Sequence, residues 1–218
     1  RDPSNAVALD LGFAVGPRLN AAGRLADMAL GVECLLADDP DHALALAAQL
    51  DTINRSRRTV EADMRDQASA LMRPWQATDA ETPAAVTLFD PSFHEGVIGI
   101  VAGRIKDTLH RPTFVFALAT DGTLKGSGRS IPGFHLRDAL DLISKQHPYL
   151  LVRFGGHAMA AGCSLCDGSP QTLATFEQAL RTVAAATLDD HALTRRVRTD
   201  GSLAAVSFDE KTIGTLNA

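Results

Sequence analysis

Between residues 40 and 72 the chain holds one helical register, and that feature limits what it can become. Asp39 suits a helix N-cap and Pro40 the first helical position. Leu46, Leu50, Ile53, Val60, Met64 and Leu71 recur at steps of three, four or seven residues, so they share one face. At 1.5 Å per residue the segment spans about 50 Å, longer than a small domain is wide. A helix of that length bridges domains. Arg55, Arg57, Arg58 and Arg65 in its middle could meet nucleic acid, but a solvated helix face is the simpler expectation.

The two sides of this helix read differently. Before it, RDPSNAVALDLGFAVGPRLNAAGRL is expected to be loop-rich, its few apolar residues having no strands to bury against. Part of residues 1–35 is expected to be disordered or to pack non-natively. After a polar linker near 74–84 the pattern becomes an alternation of strands and helices. Strands are expected at 86–90, 113–118, 124–130, 150–154 and 163–166, with helices at 96–109 and 134–146. Ser169 and Pro170 open a last helix to about residue 188. The expected fold class is α/β: a mixed β-sheet flanked by helices and preceded by a long connector helix. Both ends read as cut, so the chain is expected to be the middle piece of a longer protein.

Composition narrows the partners. A net charge of −5 excludes a globally basic nucleic-acid binder but allows a local basic groove. One Trp and one Tyr are too few for a base-stacking platform, so any nucleic acid would be held by its phosphates. Three cysteines argue against a disulfide framework and for the cytoplasm. Cys163 and Cys166 have C-x-x-C spacing, but no second pair completes a zinc set, and alternate positions on a strand explain them better. No apolar run approaches the roughly 20 residues that span a bilayer.

Four stretches carry chemistry. In GSGRSI (126–131), glycines would let a ligand approach the backbone, Arg129 would fork onto phosphate oxygens and Ser130 would add a hydroxyl; an exposed turn arginine is the alternative. In GGHAMAAG (155–162), Gly155 and Gly156 could aim consecutive N–H groups at an anion, with His157 at the rim; a structural histidine in a tight turn is the alternative. In NAAGRLAD (20–27), Arg24 follows a glycine in a loop of small residues, and Asn20 offers an amide. In HEGVIGI (94–100), His94 and Glu95 precede a helix N-terminus suited to an anion, although Glu95 acting as a simple cap is the expected case. No H-E-x-x-H, D-H-H, P-loop or G-x-S-x-G pattern accompanies them. Phosphate-binding candidates without a catalytic centre imply that the centre lies elsewhere.

In order and spacing these stretches resemble the RecJ single-stranded-DNA exonucleases of the DHH phosphoesterase superfamily. GPRLNAAGRLADMALGVECLL resembles the end of their DHH catalytic domain, residues 38–75 the connector helix, and residues 76–192 the DHH-associated domain. Residues 193–218 resemble the start of the OB-fold that follows, and 1–37 would be the remnant of the catalytic domain. The resemblance implies 5′-to-3′ hydrolysis of single-stranded DNA to mononucleotides in recombination and repair. It implies Mn²⁺ or Mg²⁺ held by motifs preceding Arg1, none bound by this chain, and helicase or single-strand-binding protein partners. It further implies that Arg129 and Ser130, with Gly155 and Gly156, bind substrate phosphate, and that His157 acts catalytically beside the scissile phosphate. Arg24, Asn20 and His94 would give supporting contacts. A DHH enzyme acting on short oligoribonucleotides or nucleotides, or a stand-alone nucleic-acid-binding module, are the alternatives.

Overall fold

The structure, a computed structural model, describes residues 5–76, 82–197, 199, 201, 212, 214 and 215. Helix α1 (Ala8–Asp10) runs through a π-helical turn (Leu11–Val15) into α2 (Gly16–Leu25), and α3 (Ala29–Leu36) follows. The long helix α4 occupies Pro40–Gln76, and the Asp39 side chain accepts the His42 N–H at 3.0 Å, as an N-cap should. Then come β1 (Val86–Phe89), α5 (Ile98–Leu109), β2 (Thr113–Leu118), β3 (Leu124–Arg129), α6 (Leu136–Gln146), β4 (Leu151–Gly156), β5 (Ala160–Leu165), α7 (Pro170–Thr187) and α8 (Asp190–Leu193). The mixed sheet flanked by helices is the fold class expected. Most of residues 193–218, where the start of a further domain is expected, lie outside the described residues.

The N-terminal segment departs from expectation in being helical instead of loop-rich, and α2 packs while Leu9, Leu11 and Phe13 before it stay exposed. Its small residues explain this, because Ala21 and Ala22 are fully buried where α2 meets α4, and Arg18 reaches Asp51 of α4 at 2.9 Å. The partner of this segment is a helix distant in sequence, which a local pattern does not reveal. NAAGR therefore sits on a helix and not in a loop.

On α4 the contact face is Leu46, Leu50, Asn54, Met64, Ala68 and Met72. Leu71, expected on that face, is exposed, and Met72 takes its place. Arg57 and Glu61 fill the middle of the stripe as an ion pair at 2.5 Å, and Arg55 and Arg65 pair with Asp51 and Asp66. The basic run on this helix is thus largely neutralised within the helix itself.

The sheet order is β1-β2-β3-β5-β4, with β1 and β2 parallel and all other neighbours antiparallel. The parallel pair is joined through α5, as a crossover requires. Alternation along the strands separates two cores. Phe114 and Phe116 of β2 face α6 and α7, where Phe176 meets both rings edge-on at 5.2 and 5.0 Å. Val115 and Ala117 face the other way, onto α5 and the C-terminal half of α4. On this second face α5 covers only β2 and β3, so β5 and β4 are left open beside it.

Candidate nucleic-acid interface

Gly126 and Gly128 of β3 do not open the backbone to a ligand, contrary to the sequence expectation. They pair across the ladder with Phe116 and Phe114, whose rings lie over them. A Cβ on Gly128 would come within 2.5 Å of the Phe114 ring, and one on Gly126 would collide with Phe116. These glycines make room for the aromatic core.

The residues between them serve the other face. Lys125, Ser127 and Arg129 alternate with the glycines and turn toward α5 and the open strands. Arg129 is half-buried, and its Nη1 donates to the Gly128 carbonyl at 2.8 Å and the Ser127 hydroxyl at 3.2 Å. Room for this comes from Gly99 of α5, where a Cβ would lie 2.9 Å from Arg129 Nη2 and 2.8 Å from Ser127 Oγ. No carboxylate pairs with Arg129 among the described residues. Burial, and after it the charge of nearby Arg24, pull the Arg129 guanidinium below the usual arginine value. Two guanidinium groups held close without a counter-charge are an arrangement that an anion relieves.

Ser130 is corrected. It is buried, its hydroxyl donates to the Phe134 carbonyl at 2.6 Å, and its N–H donates to the Met159 carbonyl at 3.0 Å. The hydroxyl closes the loop before α6 and has no path to a ligand.

Gly155 and Gly156 are likewise not an anion nest. They continue β4 and pair with Gly162 and Ala161 of β5, so their successive N–H groups point to opposite sides. Gly156 has φ +136, and a Cβ there would sit 2.5 Å from the Ala160 oxygen, so the position needs glycine. The His157 N–H donates to the Ala160 carbonyl at 2.7 Å and closes the β4–β5 hairpin, leaving the side chain exposed at its tip. Ser130 and Leu136 donate to the carbonyls of Met159 and Ala158, which fastens this tip to the loop following Arg129. GRS and GGH therefore share one end of the sheet.

NAAGR and HEGVIG also meet. Arg24 Nη1 donates to the Gly96 carbonyl at 3.3 Å, and the Arg24 carbonyl fills the space a side chain on residue 96 would need. His94 caps the turn by accepting the Gly96 N–H on Nδ1 at 3.0 Å. Glu95 is no cap: it pairs with Lys125 at 2.6 Å. Asn20 is exposed on α2 and lies away from the groove.

An open groove of about 520 Å³ runs between these parts. Arg24, Glu95 and Gly96 form one side, and Lys125, Ser127, Arg153, Gly155 and Ser164 form the floor. Arg153, Lys125 and Ser164 were missed from sequence. Period-two alternation from Arg129 back to Ser127 and Lys125 would have indicated the first of these rows. Among the described residues no group of three or more His, Cys, Asp or Glu side chains could hold a metal ion.

Residues 81–186, which hold the five-stranded mixed sheet and its glycine-rich hairpin, match the DHHA1 domain model. Over most of its length the chain is homologous to one part of the RecJ exonucleases. It is 48% identical over 99% of its length to the single-stranded-DNA-specific exonuclease RecJ of Dickeya dadantii, and 45% identical over 93% to that of Escherichia coli. It spans only 36% and 35% of those proteins. The crystal structure of RecJ in complex with Mn²⁺ from Thermus thermophilus superposes with a TM-score of 0.68 at 34% identity, covering 84% of this chain and 25% of that one.

Proposed function

We propose that this chain is the substrate-gripping part of a metal-dependent single-stranded-DNA 5′-to-3′ exonuclease, and that alone it binds strands without cutting them. The observation that carries the reading is the half-buried, carboxylate-free Arg129 beside Arg24, the arginine that lines the groove. On this reading Arg129 takes the 5′-terminal phosphate and Arg24 supports it from α2. The exposed His157 ring donates to a phosphate oxygen at the same end of the sheet. The arginines hold the strand so that one particular bond is presented for hydrolysis, which is a positioning role.

Divalent metal supplies the activated water and stabilises the displaced oxygen in such chemistry. The described residues do not fit that ion: Glu95, the carboxylate at the groove, is committed to Lys125. The metal-bearing half therefore belongs to other parts of the longer protein, where helicase or single-strand-binding partners would also deliver strands. No described helix is long and apolar enough to cross a membrane, and the reading is of a cytoplasmic enzyme.

The test is kinetic, on the full-length protein. Arg129→Ala is expected to raise KM about tenfold or more for 5′-phosphorylated strands, the scale of one lost charge-assisted contact. Equal effects on phosphorylated and hydroxyl ends would remove the 5′-phosphate role. Metal-dependent hydrolysis by this chain alone, lost in His157→Ala, would overturn the binding-only assignment.

A further inference from the structure

Arg153 has no role in the contacts just described, yet it occupies a distinctive place. It lies on β4 opposite Ser164 of β5, which in turn lies opposite Lys125 of β3. The three residues form a row across the open face, and Arg153 Nε donates to Ser164 Oγ at 3.4 Å. The same row lines the groove that Arg24 walls. Lys125 is neutralised by Glu95, but Arg153 pairs with no carboxylate among the described residues.

Between this row and Arg129 the floor carries almost no side chains. The next row along is Ser127, Gly162 and Gly155, so two of its three positions are bare backbone. Beyond it, Arg129 lies opposite Ala160. Arg153 is thus two strands across and four residues along from Arg129. At strand spacings of about 4.8 Å and about 3.3 Å per residue, their Cα atoms are about 16 Å apart. Arg129 is held at Gly128 and Ser127 of β3 and Arg153 at Ser164 of β5, so the two guanidinium groups keep to different strands of the floor. A flat floor with a cation at each end suits an extended, repeating polyanion and gives no pocket for a base.

We propose that Arg153, steadied by Ser164, is a second phosphate station that holds an inner phosphate of the single strand whose 5′ end is held at Arg129. The proposal rests on the phosphate-gripping reading above and extends it to substrate length. Arg153 sets how many nucleotides must be present for full affinity. It also fixes the direction in which the strand leaves Arg129, along the bare glycine floor toward the Lys125 row.

The test is fluorescence anisotropy on this protein with 3′-labelled thymidylates bearing either a 5′-phosphate or a 5′-hydroxyl, from dimer to octamer and across a salt series. The expected result is that Arg153→Ala weakens octamer binding several-fold, with a smaller effect on the dimer. It also lowers the slope of log affinity against log salt by about 0.7, the value for one phosphate contact on a single strand. Arg153→Lys restores the slope, because the charge is kept. An Arg153→Ala protein with wild-type affinity and salt slope on the octamer overturns the proposal. If the Arg153 effect is present while Arg129→Ala and the 5′-phosphate are both without effect, the 5′-end reading fails and the inner station stands. Arg153 is exposed, so its loss is not expected to unfold the chain.

Discussion

The carbonyl of Arg24 occupies the space where a side chain on Gly96 would begin, and the Arg24 guanidinium returns to donate to the Gly96 carbonyl. This pair of contacts docks the end of α2 on the turn that starts α5. It is also what sets Arg24 beside Arg129. Gly96→Ala is therefore expected to push the two backbones apart, costing about 1–3 kcal/mol, as overpacking does. Urea unfolding followed by circular dichroism measures the cost. A Gly96→Ala protein with an unchanged midpoint would mean the docking is dispensable.

A second expectation concerns the sheet. Gly128→Ala places a methyl against the Phe114 ring and should destabilise the fold by about 1–3 kcal/mol. Phe114→Leu vacates part of that space, so in its background the cost of Gly128→Ala should fall by at least half. The two single variants and the double variant form a cycle that reports this coupling. A cost that is the same in both backgrounds would show that the glycine serves something other than the ring.

These two glycine sites also show where sequence reading stops. From residue 86 to 187 the elements were legible, because alternation, caps and turn residues are local signals: β2 falls at 113–118 as expected, and Ser169 does cap α7. GSGRS was legible as special but not in its physical reason, since nothing in the string distinguishes a glycine that admits a ligand from one that admits a neighbour's ring. Ser130 was misread for the same cause, as its acceptor, the Phe134 carbonyl, becomes visible only once the loop closes. On α4 the count of apolar residues placed Leu71 on the contact face. It overlooked Asn54 and the Arg57–Glu61 pair, polar groups that carry the stripe through its middle. Helices α2 and α3 were missed because what holds them is α4.

The acid response follows from five aspartates shifted one way among the described residues, Asp51 between Arg18 and Arg55 being one of them. Asp90 accepts the Ser92 hydroxyl at 2.6 Å and the Ser92 N–H at 2.9 Å, which hold its carboxyl below the usual value of 3.8. Asp121, bound by Thr123, Asp141, bound by Lys145, and Asp167, bound by the Ser169 N–H, are shifted the same way. A carboxyl with a depressed folded-state pKa contributes stability above its unfolded value and loses it as pH falls through the folded one. Stability should therefore be insensitive to these groups near neutrality and decline below about pH 4. Midpoints of urea unfolding between pH 2.5 and 7 check this, and Asp90→Asn should make the decline shallower. A decline equally steep in that variant would remove Asp90 from the account.

The cysteines give a chemical readout of the fold. Cys163 points from β5 into the aromatic core, and burial pushes its thiol far up from the ordinary range. Cys166 lies just past the strand end and is exposed, with Asp167 and Thr172 as its neighbours at 3.9 Å. The C-x-x-C spacing therefore joins two thiols in opposite environments, one unable to ionise and the other free to react. Treatment of the folded protein with iodoacetamide at pH 8, followed by peptide mass mapping, should find Cys166 alkylated first and the half-buried Cys34 more slowly. Cys163 should stay unmodified until denaturant is added. If added zinc shielded Cys163 and Cys166 together, or both reacted at one rate, the two thiols would have to act as a pair, and the packing of β5 described above would be wrong.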